Sequence, residues 1–152
     1  MLDAKDPDVP TTYAIDFHDE IVRQALPRTD YALGLILFFA QDTGFYYEVT
    51  TAGKTGVSHP RNLPRSSGQT VRYGSCVLTC RHPADVAIPT ISSAVWTLPS
   101  GITQDSTQVN GLVASITLSG GTDGVDYDIT CRMTPSSGNA IDKTITVPVR
   151  AL

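Results

Sequence analysis

The residues of this chain with the chemistry to bind metal or catalyse are three cysteines, three histidines and a scatter of carboxylates. Cys76 and Cys80, with His59 and His82, could make up a zinc set on paper. On an extended strand, however, residues four apart share a face yet lie about 13 Å from each other, so both thiols cannot reach one ion while the strand is straight. Structural zinc sites also favour a two-residue knuckle between cysteines. The cysteines therefore read as small buried hydrophobes, and no metal or other cofactor is expected. Nucleophilic catalysis needs a nucleophile beside a base that is itself oriented. His18, His59 and His82 all lie near Pro- or Asp-rich turns and no serine sits in a nucleophile elbow, so no enzymatic activity is expected. Asp123, Asp126 and Asp128 do not have the spacing of a calcium loop; Asp126 and Asp128 fall on one polar strand face that water can solvate. What remains is aromatic: Phe45, Tyr46 and Tyr47 could stack on a sugar, and period two places Tyr46 opposite the other two.

The chain that must position these residues has 152 of them, enough for one ordinary domain or two very small ones. Charged residues make up 17%, against roughly 25% in an average globular protein, and Thr, Ser, Gly and Pro take their place. Long solvated helices need Glu, Lys and Arg, so the balance points to β-structure. Net charge is −4, and Arg61, Arg65 and Arg72 are spread through a loop-rich stretch rather than gathered into a basic stripe. Nucleic acid is not an expected partner. The longest apolar run, 32–40, falls far short of the roughly 20 residues of a spanning helix, so no membrane is expected either. The first ten residues are acidic and proline-bearing, unlike a secretory signal. Folding in a cytoplasm, with reduced cysteines, is the expectation.

Strict alternation marks the last third. Val125, Tyr127, Ile129, Cys131 and Met133 share one face, and Leu112, Ala114, Ile116 and Leu118 another, with a triple-glycine turn between the two strands. Ile141, Ile145, Val147 and Val149 give a further strand, and Pro148 marks it as an edge. Ala94, Trp96 and Leu98 form another inward face, with Trp96 a core anchor. Short strands at regular spacing are the pattern of an antiparallel sandwich. Tyr13, Ile15 and Phe17 start it. From residue 18 the texture changes: a short helical turn over 18–26, a buried strand over 31–39, an aromatic strand over 45–51, a long Gly/Pro/Ser-rich segment over 52–69, and strand character over 70–80. The simplest organisation is a small β module inserted near the front of a β-sandwich. The boundaries are 1–17 for an N-terminal arm and first strand, 18–83 for the module with its helical lead-in, and 84–152 for the rest of the sandwich.

The segments SAVWTLPSGI (93–102) and ASITLSGGTDGVDYDITCR (114–132), with Lys5-Asp6-Pro7-Asp8 ahead of the first strand, resemble the phage fibre–tail adaptor family of small immunoglobulin-like virion proteins. The resemblance covers about half the chain. A second stretch, GFYYEVTTAGKTG (44–56) continuing through His59-Pro60 to Cys80, looks like a small β module of phage tail and fibre proteins. It departs from that pattern at His59 (usually an acid), at Leu63 and Leu78 (commonly Trp) and at Tyr73 (commonly Asp). The typical adaptor lacks this insert.

The resemblance implies an all-β protein, an immunoglobulin-like sandwich with an inserted module, acting as a non-enzymatic structural component of a tailed-phage virion. It would sit at the tail or neck in a symmetric homo-oligomeric ring and link the tail to fibres or neighbouring tail proteins. The alternatives are a carbohydrate-binding module of a tail fibre and a capsid decoration protein. The expected contact regions are an N-terminal arm over 1–12 that orders on assembly, with Lys5, Asp6, Pro7 and Asp8, and the segment 53–69 with His59, Arg61 and Arg65, beside Tyr46.

Overall fold

A computed structural model describes residues 3–40 and 42–151, apart from the side chains of residues 42 and 43. The chain is almost wholly β. In order it forms β1 (Thr11–Asp16), the single turn of helix α1 (His18–Ile21), β2 (Val22–Gln24), β3 (Asp30–Tyr31), β4 (Ile36–Phe39), β5 (Asp42–Thr51) and β6 (Gly53–Lys54). Then come β7 (Thr70–Tyr73), β8 (Cys76–Arg81), β9 (Ile91–Thr97), β10 (Ile102–Asn110), β11 (Val113–Gly120), β12 (Asp126–Pro135) and β13 (Ile141–Pro148). The strands divide between two compact units. The first holds Met1–Phe17, Thr90–Ser136 and Ala140–Leu152; the second holds His18–Pro89 and Ser137–Asn139. The chain thus re-enters the first unit at Thr90 rather than at residue 84, and the tip of the turn before β13 groups with the second unit.

The first unit has two three-stranded antiparallel sheets, ordered β1-β11-β10 and β13-β12-β9. Alternation builds them: in β11 the residues Ala114, Ile116 and Leu118 are buried, and in β12 Tyr127, Ile129, Cys131 and Met133 are. Tyr13, Ile102, Ile116 and Leu118 from one sheet join Tyr127, Ile129, Val147 and Val149 of the other unit-one sheet and its end in a single apolar cluster, with Trp96 partly buried against it. Burying such side chains contributes roughly 1.5–3 kcal/mol each before conformational entropy is charged against it. The Tyr127 hydroxyl accepts a bond from the Thr122 amide at 3.0 Å, which fixes the glycine-rich turn onto the strand that follows it. Tyr127→Phe is expected to cost about 1 kcal/mol, read in urea unfolding, because the amide loses its acceptor while the ring still packs.

The second unit has a five-stranded sheet, β2-β4-β5-β8-β7, and a two-stranded one, β3-β6. Two expectations are corrected here and a third is refined. The helical turn stops at Ile21, since Val22–Gln24 pairs in parallel with β4 and takes up strand geometry. The run 31–39 is not one strand: Gly34, at φ 87°, turns the chain between β3 and β4, and its amide donates to the Val49 carbonyl. Finally, 70–80 is a hairpin, with Tyr73 opposite Cys76 and Gly74 in the turn. Cys76, Leu78 and Cys80 remain on one buried face of β8.

All three cysteines are buried and none is in a disulfide. Burial first, and then the Asp142 carboxylate, pushes the Cys131 thiol up from 9.0 to about 11. Burial raises the Cys76 thiol and the Tyr13 and Tyr73 phenols as well. A raised acid keeps its proton in the folded chain at pH values where the unfolded chain has lost it. Stability is therefore complete below 9.0 and falls as pH climbs through 9.0 toward about 11. Denaturant midpoints across that window should drop, and should drop less in Cys131→Ala relative to its own value at neutral pH.

Candidate functional site

The expected contact residues fall in two separate places. Lys5, Asp6, Pro7 and Asp8 are in the first unit. Residues 1 and 2 of the expected arm lie outside the described residues, but the part that follows is not a free arm. Lys5 is fully buried, bridges in parallel to Val149, donates its amide to the Pro148 carbonyl at 2.8 Å and accepts from the Arg150 amide at 2.9 Å. Its Nζ donates to the Asp6 and Val9 carbonyls at 2.7 and 3.0 Å. The Asp6 carboxylate accepts from the Asp8 amide at 2.9 Å, closing an Asx turn over Pro7. Lys5 ties this segment to the end of β13 with its side chain out of solvent; a buried cation donor survives only where carbonyls replace its water.

The other four, Tyr46, His59, Arg61 and Arg65, are in the second unit. Here the structure assembles what the sequence leaves dispersed. Phe39 packs edge-on against Tyr47 at 5.2 Å and against His59 at 5.3 Å, and stacks with Tyr73 at 6.1 Å. The Tyr73 hydroxyl lies 3.0 Å from His59 Nδ1. The Tyr47 hydroxyl donates to the Pro64 carbonyl at 2.9 Å, and the Gly68 amide to the Cys80 carbonyl at 2.8 Å. These bonds pin a segment with little regular structure of its own. His59, Pro60, Arg61, Asn62, Leu63 and Arg65 then line a pocket of about 360 Å³, floored by Phe39. The Arg65 guanidinium sits 5.9 Å from the Phe45 ring centroid, within cation–π range.

Tyr46 is half-buried and lines a different, more apolar pocket with Phe38, Phe45, His18 and Pro83. Tyr47 is fully buried, which removes it from the three candidate sugar platforms. Sequence reasoning missed Phe39, Asn62 and the Tyr73 partner of His59. Phe39 sits twenty residues upstream in an apolar run that gives no sign of its neighbour. Tyr73 stands out only as a departure from the module's usual residue. Among the described residues no group of three or more His, Cys, Asp or Glu is placed to hold a metal ion, and no helix is long and apolar enough to cross a membrane.

Comparison with known proteins bears on the first unit. Residues 83–148 match the family model described as podophage GP4 fiber-tail adaptor protein gp77. This segment belongs to the fibre–tail adaptor family. The match runs over β9 to β13 and ends at Pro148, the last residue of β13, so the adaptor segment supplies five of the six strands in the two sheets of the first unit. It is less than half of the chain, and most of the second unit lies outside it. No curated protein and no solved structure matches the chain.

Proposed function

We propose that the chain is a non-enzymatic structural component of a tailed-phage virion, an adaptor at the tail or neck that joins the tail to fibres or neighbouring tail proteins. The observation that carries this is the coincidence of the fibre–tail adaptor match with β9–β13. The two facing sheets of the first unit are read as an immunoglobulin-like sandwich, and the second unit as an inserted module with its own contacts. The chain would assemble in the host cytoplasm as a symmetric homo-oligomeric ring, where many weak contacts engage together and the whole holds far more firmly than any one. β10 suits such a ring: it is the outer strand of its sheet, and every residue after Ile102 is exposed. Its outward backbone groups are available to a neighbouring strand.

Particles made without this chain test the reading. The expected product is a tail that lacks its fibres or stops before completion, rescued by supplying the chain in trans. Fibre-bearing, infective particles made in its absence would overturn the adaptor role.

A further inference from the structure

Phe38 departs from the pattern of its strand. β4 is an inner strand of its sheet, and Ile36, Leu37 and Phe39 are buried, yet Phe38 is exposed. A phenyl ring left in water forgoes the favourable burial that its neighbours have. With His18, Asp19, Val22, Arg23, Gln24 and Leu26 it lines a pocket of about 440 Å³. We propose that this pocket binds one pyranose unit of a neutral glycan, with a face of the sugar ring against Phe38.

The mixture of groups in the lining selects that class. A pyranose has C–H groups on its faces and hydroxyls around its rim, and each hydroxyl both donates and accepts. Phe38, Val22 and Leu26 offer the faces an apolar surface. Asp19 offers the rim acceptors, Arg23 donors, and the Gln24 amide one of each kind. An aliphatic side chain from a protein partner would satisfy the apolar part and leave these polar groups desolvated without partners. Asp19 and Arg23 carry opposite charges, so neither sign of ionic ligand is favoured by both. The volume is that of a small-molecule site. Phe38, His18 and Val22 also line the pocket of about 450 Å³ that holds Phe45, Tyr46 and Pro83, which gives a second sugar unit a place beside the first.

The wall is also built before any ligand arrives. The buried Tyr31 hydroxyl donates to the Gln24 carbonyl and accepts from the Leu26 amide, both at 2.8 Å. Between them the Ala25 amide donates to the Phe38 carbonyl at 2.8 Å. The Arg23 guanidinium lies over the Tyr31 ring at 5.4 Å, which limits its freedom in advance. Little ordering then remains to be done on binding. Residues 18–38 lie outside the adaptor match, and the site is independent of the adaptor reading.

The test is an NMR titration of the full-length chain with maltotriose, cellotriose, mannotriose and chitotriose, and in parallel with a blocked Ala-Leu-Ala peptide. Saturable shifts at Phe38, Asp19 and Gln24 are expected with one or more of the trisaccharides and none with the peptide at equal concentration. Phe38→Ala should weaken that binding about tenfold or more, since the apolar platform is lost. Asp19→Ala should weaken it about threefold or more, with an unchanged thermal midpoint because the carboxylate side chain is exposed. The proposal is overturned if no trisaccharide binds, if the peptide binds as tightly, or if either substitution leaves the binding unchanged.

Discussion

Gly74→Ala is expected to destabilise the second unit by about 3 kcal/mol or more and to leave the first unit closed. Gly74 has a φ of 64°, in the left-handed region, where a Cβ costs roughly 1–2 kcal/mol against the following carbonyl. Here that Cβ would also collide with the Lys54 carbonyl and with backbone atoms of Thr55 and Gly56, at 2.7 and 2.6 Å for the latter two. Backbone cannot rotate aside as a side chain does, so β6 or the β7–β8 hairpin must move. The amide of Ser75, which donates to the Lys54 carbonyl at 3.0 Å, would lose its partner with it. The cysteines report the outcome. Cys76 and Cys80 lie in the second unit and Cys131 in the first, all buried. A thiol reagent should label Cys76 and Cys80 in the variant and spare Cys131; equal labelling of all three would mean that the chain opens as one body.

Lys5→Met should produce the converse pattern. Methionine keeps most of the stem and removes the donor, so the Asp6 and Val9 carbonyls lose Nζ and keep only the Val9 amide and the Thr11 hydroxyl, each at 3.2 Å. Losing the bonds from a charged donor costs about 1–3 kcal/mol, since neither acceptor is left without a partner. The loss falls on the segment that bridges to Val149, hence on the sheet edge at β13. The urea midpoint should fall, with Cys131 becoming labelled ahead of Cys76 and Cys80. An unchanged midpoint would show that water replaces Nζ at no cost and that the segment is held by its backbone bonds alone.

Sequence alone revealed those parts of the fold where burial is one-sided. β11 and β12 each present one face to a shared core, so period two is written directly in Ala114, Ile116 and Leu118 and in Tyr127, Ile129, Cys131 and Met133. β10 left no such trace. As an outer strand with only Ile102 buried, its order rests on backbone pairing with β11, and nothing selects apolar residues along it. The run 31–39 failed for the opposite reason. Tyr31, Leu35, Ile36, Leu37 and Phe39 are all buried, so hydrophobicity carries no period and the break at Gly34 is hidden. Lys5 misleads because a lysine among aspartates and prolines reads as solvated, and only the carbonyls gathered around Nζ explain its burial. In the pocket, His59, Arg61 and Arg65 were legible only as expected contact residues on one long segment. Their convergence over Phe39 was not, because it depends on Tyr47 and Tyr73 reaching across from other strands.

The central claim is that this chain is a working part of a phage tail. Electron microscopy of purified particles carrying a gold-labelled tag on the chain tests it most directly. The account predicts label confined to the tail or neck, at a fixed radius and in a fixed number of positions. Label distributed over the capsid shell, or particles free of label, would contradict it.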